Sequence, residues 1–139
     1  MAISQTVCTS FKKELMEGTH DFTSDTFKIA LYLNSATLSE ATTAYTTTGE
    51  SSGTGYTAGG KALTVVAPTT SGTTAILDFD DVSWTGVSLT ARGGLIYNST
   101  DSNKTVAVLD WGADYIVSGG TFTITWPAAD ASNAISRLA

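Results

Sequence analysis

The sequence predicts an all-β fold, an antiparallel β-sandwich or a jelly-roll-like barrel, with one short N-terminal helix. Three observations carry that prediction. Apolar residues alternate with polar ones in run after run, the period of a strand with one buried face. Clusters of Gly, Asn and Ser fall between the runs, where hairpin turns are wanted. The polar surface is built from hydroxyls rather than charges: 14% of the 139 residues are charged, against roughly 25% in ordinary soluble domains. Thr, Ser and Gly together account for 53 residues, 25 of them Thr. A β-branched residue with a hydroxyl suits a pleated surface facing water.

The elements follow in order. Val7, Phe11 and Leu15 recur at every fourth position and make one apolar stripe, with Cys8 and Met16 beside it. Thr6 is the expected N-cap and Gly18 the expected left-handed C-cap. A helix this short is marginal alone, so its stripe, Phe11 and Leu15 above all, is expected to meet a sheet or a neighbouring subunit. Phe27, Ile29, Leu31 and Leu33 alternate with Lys28, Ala30 and Tyr32 as a half-buried strand. Residues 61–67 repeat the pattern until Pro68 stops it. Ala75, Leu77 and Phe79 face one way and Asp78 and Asp80 the other. Val87, Leu89 and Ala91 start a strand, and Gly93-Gly94 predicts a bend or bulge before Leu95–Tyr97. Val106, Val108 and Asp110 form the next, and Phe122, Ile124 and Trp126 alternate with Thr121, Thr123 and Thr125 in the last. Turns are expected at 71–72, 98–103 and 119–120.

The chain reads as a single β-rich domain, 1–139, with a long loop or arm at about 39–60. That stretch, SEATTAYTTTGESSGTGYTAGG, carries few aliphatics and is long for a connection inside a compact domain. It is expected to be an arm ordered by a partner, with Tyr45 and Tyr56 supplying rigid amphipathic contact.

Several function classes find no support. A net charge of −6 repels nucleic acid and anionic membrane surfaces, and no apolar run reaches the ~20 residues of a membrane span. The opening MAISQTVCTSFKKELMEG lacks the basic-then-apolar order of a secretion signal. One His and one Cys cannot assemble a zinc site, and His20 has no nucleophile elbow to serve. His20 is expected in a solvated turn and Cys8 as a small core residue. No cofactor is expected. Asp78, Asp80 and Asp81 are expected to form a solvated acidic face and are weak calcium candidates, because DFDD lacks the spacing of a calcium loop. A carboxylate pair for glycoside hydrolysis is the remotest reading of the same residues. Trp84, Trp111 and Trp126 could stack on glycans, although their places at strand ends fit anchoring better. Asn98-Ser99-Thr100 and Asn103-Lys104-Thr105 match glycosylation triplets and read better as turns.

Five stretches resemble small virion structural proteins of tailed bacteriophages: FKKELMEGTHDFTSDTFKIALY, GTGYTAGG, LTARGGLIYNST, VLDWGAD and FTITWPAADASNAI. They span nearly the whole chain and consist of turns and strand edges rather than catalytic signatures. The resemblance implies a β-rich subunit of the virion, present in many copies. Its roles would be capsid decoration or cement, or tail or fibre association with host-glycan adhesion as one form. The implied partners are the major capsid protein and copies of the chain itself, as a dimer or trimer.

Overall fold

The computed structural model describes residues 2–126 and 136–138. Its strands are β1 (Thr6–Val7), β2 (Phe27–Tyr32), β3 (Lys61–Ala62), β4 (Val65–Ser71), β5 (Thr74–Phe79), β6 (Val82–Asn98), β7 (Lys104–Ile124) and β8 (Ser136–Leu138). Helix α1 spans Thr9–Met16. The strands form two antiparallel sheets, ordered β1-β7-β6-β2-β3 and β4-β5-β8. The fold is all-β and sandwich-like, as predicted; neither sheet closes on itself, so the barrel alternative falls away. Of the FTITWPAADASNAI resemblance, 127–135 lies outside the described residues. Among the described residues no helix is long and apolar enough to cross a membrane.

The helix begins later than its sequence pattern predicts. Thr6 and Val7 are drawn into β1 beside Val108 and Ala107, which leaves Cys8 as the N-cap, without a side-chain cap bond. Its end is as expected. Gly18 is left-handed at φ 76, Gly18 N donates to Leu15 O at 3.3 Å, and Thr19 N donates to Glu14 O at 2.9 Å. These two bonds occupy carbonyls that a helix end otherwise leaves bare.

The irregularity expected at Gly93-Gly94 is present, whereas the turn expected at Gly119-Gly120 is not, and both strands run on through their glycines. Gly93-Gly94 marks a register shift inside β6, and Gly119-Gly120 a second shift inside β7 rather than a turn. At the first place β7 carries the surplus, residues 111–114 lying opposite Arg92 alone, and at the second residues 118–119 lie opposite Ser88, while pairing continues on either side. The result is one long hairpin, β6–β7, turning at 99–103, where Ser102 and Asn103 take positive φ.

Strand β2 is central, and both its faces are covered: Ile29, Ala30, Leu31 and Tyr32 are all 0% exposed. The predicted one-sided strand is buried on both faces, and the chain between 49 and 51 pairs along its edge. Phe27 joins the parts of the molecule, with Phe22 stacked on it at 4.3 Å and Phe79 of β5 at 6.4 Å. Each such buried side chain contributes about 1.5–3 kcal/mol. The β4–β5 hairpin projects outward, turning at Gly72 (φ 63) with open space around it.

Candidate interaction surface

The segment 39–60 finds its partners within the chain, through a single carboxylate. Tyr45 Oη donates to Glu50 Oε1 at 2.6 Å, and Tyr56 Oη donates to Glu50 Oε2 at 2.6 Å. Gly59 N donates to the same Oε2 at 2.8 Å. Tyr56 Oη accepts in turn from Leu31 N at 2.9 Å, which ties the hub to β2. Tyr97 Oη donates to Gly59 O at 2.5 Å, and the Tyr45 and Tyr97 rings stack at 4.8 Å. Burial first, and hydrogen bonding to Glu50 second, push the phenols of Tyr45 and Tyr56 well above the ordinary tyrosine pKa. The expected arm is therefore a strap, and Tyr45 and Tyr56 spend their hydroxyls on the chain itself.

The strap also closes sheet edges. Ser51 N donates to Leu31 O at 2.8 Å, and Leu33 N donates to Gly49 O at 2.8 Å, along the outer side of β2. Where β2 ends, the strap takes its place beside β6: Ser88 N donates to Thr54 O at 2.9 Å, and Ser51 Oγ donates to Thr90 O at 2.6 Å. Lys61 Nζ then bonds to Ser83 O. Earlier in the strap, Tyr45 N donates to Asn103 O at 3.0 Å and Thr105 N to Thr43 O at 3.2 Å, covering the start of β7.

The other residues singled out by sequence are likewise occupied. Phe11 is buried and lies 4.9 Å from the His20 ring; Leu15 is half-buried and, with Phe11, lines a cleft of about 400 Å³ below β5. His20 is not in a solvated turn; it is 6% exposed. Asn98 Nδ2 donates to His20 Nδ1 at 3.1 Å and to Asp25 Oδ2 at 2.8 Å, which leaves the ring proton on Nε2, donating to Glu14 Oε1 at 2.9 Å. Asn98 Oδ1 accepts from Thr100 N and Asp101 N, so its triplet is turn chemistry. Cys8 is fully buried, and burial raises its thiol pKa, which makes it a poor nucleophile.

The acidic face is corrected in part. Asp78 is 6% exposed and turned inward, accepting from Phe79 N at 2.8 Å; burial raises its carboxyl pKa. Asp80 is exposed, and Asp81 accepts from Trp126 N at 2.9 Å. The three do not converge: among the described residues no group of three or more His, Cys, Asp or Glu could hold a metal ion. The three tryptophans do not form one platform: Trp84 and Trp111 share Phe122, with Trp84 buried, and Trp126 has a different partner. Trp84 packs against Phe122 and Tyr56, Trp111 meets Phe122 edge-on at 5.7 Å, and Trp126 lies against Phe79.

What remains uncommitted is the outer edge of β7. β1 covers it at Ala107 and Val108, and Gln5 Oε1 accepts from Asp110 N at 3.1 Å. From there to Ile124 no described strand lies beside it. Tyr115 is 51% and Ile116 77% exposed on this stretch. Trp111, Tyr115, Val117, Phe122 and Ile124 line a groove of about 450 Å³ along the strand. Sequence reasoning missed this surface because edge position depends on strand order, which alternation does not encode. Comparison of the chain with protein-family models, with curated proteins and with solved structures found no match.

Proposed function

We propose that the chain is a structural subunit of a tailed-bacteriophage particle, a capsid decoration or cement protein that binds the assembled head and stabilises it. The observation that carries the reading is a pair of weakly charged strand surfaces left open among the described residues: β4, exposed along almost its whole length, and β7 from Gly112 to Thr121, where only Val117 and Gly120 are half-buried. A paired ribbon exposed on both faces is marginal alone and gains its stability from what it docks on. The virion-protein resemblance of the sequence supplies the kind of particle. The chemistry favours binding over turnover, because the one histidine has both ring nitrogens engaged and the one thiol is buried.

Purified heads stripped of the protein are incubated with fluorescently labelled chain, then heated or diluted into low salt. Saturable binding to heads, with greater survival of the shells, is the expected result. Label confined to tails or fibres overturns the head assignment in favour of the tail- or fibre-associated reading. The adhesin form of that reading calls for an exposed glycan platform, and it finds little support where Trp84 is buried against Phe122 and Trp126 packs on Phe79.

A further inference from the structure

We propose that the outer edge of β7 between Tyr115 and Thr125 pairs antiparallel with the same edge of a second copy, joining two large sheets about a twofold axis. The pairing deepens the assembly reading above and rests on it for its place in a particle.

Unpaired edges of a sheet template association unless they are short, bulged, charged, interrupted by proline or covered. The other edges described here use one of these devices. β1 and β3 are two residues long, and β3 carries Lys61. β4 has Pro68 and a register shift between Val66 and Thr69. β8 is three residues long, and β6 is covered by the strap. β7 is bulged at Gly119, no described strand lies on its outer side there, and no charged residue occurs from Tyr115 to Trp126. That neutrality is what a self-complementary contact needs in a chain of net charge −6, since an isologous axis brings like residues together. Asp114 lies just outside the stretch, and Asp110, farther back, is paired with Arg92 at 2.8 Å.

The bulge places the axis. β7 pairs regularly with β6 at Tyr115–Val117 and again at Phe122–Ile124, with Gly119 and Gly120 between. An axis through that pair sets the first segment of one copy against the second segment of the other. Tyr115 then faces Ile124, Val117 faces Phe122 and Ile116 faces Thr123 of the second copy. Tyr115, Val117, Phe122 and Ile124 already line one groove, so the two grooves merge into a shared apolar layer. Asp114 falls opposite Thr125, clear of any carboxylate.

The test is sedimentation velocity of the full chain from about 1 μM to several hundred μM, spanning typical association constants. The native chain is expected to form dimers. Ile116→Lys with Thr123→Lys opposes lysine to lysine twice and weakens the dimer at least about tenfold. Ile116→Lys with Thr123→Glu opposes lysine to glutamate and restores it. A native chain that stays monomeric throughout, forms trimers, or associates equally in both variants overturns the proposal. Should the variants fold poorly, hydrogen exchange of the native chain decides: amides of 115–125 gain protection with concentration if the pairing exists, and do not otherwise. Heads that bind a monomeric chain would refute the pairing and keep the decoration role; dimers that ignore heads would do the reverse.

Discussion

Glu50 shows how one residue can organise a segment that lacks regular structure. Three donors converge on its carboxylate, and two belong to tyrosines whose rings pack on the core. Charge-assisted bonds of this kind are worth about 1.5–3 kcal/mol each in favourable settings, and removing the acceptor strands all three donors. Glu50→Ala is therefore expected to cost about 2–4 kcal/mol, read as a lower urea midpoint, and Glu50→Gln to cost less because it keeps the acceptor oxygen. The tyrosines add a pH dependence. Tyr32, Tyr45, Tyr56 and Tyr97 all hold their protons more tightly in the folded chain, chiefly through burial. A proton held more tightly by the folded than by the unfolded state costs folding nothing while both states keep it, below about pH 10, where unfolded phenols begin to ionise. The unfolded chain then gains stability by losing its protons, so folding free energy is fully present below about pH 10 and declines above it. Chemical denaturation between pH 8 and pH 12 checks this, and a flat profile across that range would contradict it. None of this hub was legible from sequence. Tyr45 and Tyr56 stood out as anchors, but nothing local marked Glu50, among the threonines and glycines of its loop, as their common acceptor.

At the scale of elements, the strap works because its backbone lies tight against neighbouring strands. Gly60 sits at φ +79, and a Cβ there would stand 1.8 Å from Ile29 O. Gly60→Ala is expected to cost about 3 kcal/mol or more, through both left-handed strain and the clash. The same change at Gly72, with nothing within 4 Å, meets only the conformational strain of φ +63 and is expected to cost about 1 kcal/mol. Thermal melts of the two variants separate these effects. The GTGYTAGG stretch thus owes its glycines to close packing. Sequence marked it as irregular, but the contact partners lie far along the chain, Ile29 of β2 for Gly60 and Ser88 and Gly86 of β6 for Gly53 and Gly55. Strand periodicity, by contrast, was readable wherever one face is wet, as in Phe122 and Ile124 against Thr121 and Thr123. It misled in β2, where the second face is covered, and at Gly119, where glycine signalled a bulge rather than an end; at Gly93 the expected irregularity is present.

For the whole molecule, the all-β architecture and the short helix followed from alternation, turn residues and a hydroxyl-rich surface. The order of strands did not. β1 near the start pairs with β7 more than a hundred residues later, and β5 pairs with β8. Such pairings are set by which faces and edges are left to fill after the hairpins form, and they in turn decide which edge of the large sheet stays bare. The candidate surface was hidden for that reason, whereas its constituents, Ile116, Val117 and the run from Thr121, were in plain view.

The outward turn at Gly72 has a practical corollary. It joins two paired strands, and a side chain added there would meet nothing within 4 Å. Loop tips of this kind accept inserted residues with little disturbance to the framework that carries them. A foreign epitope grafted between Ser71 and Thr74 would stand clear of the framework, which makes this hairpin the natural place to turn the chain into a scaffold for display.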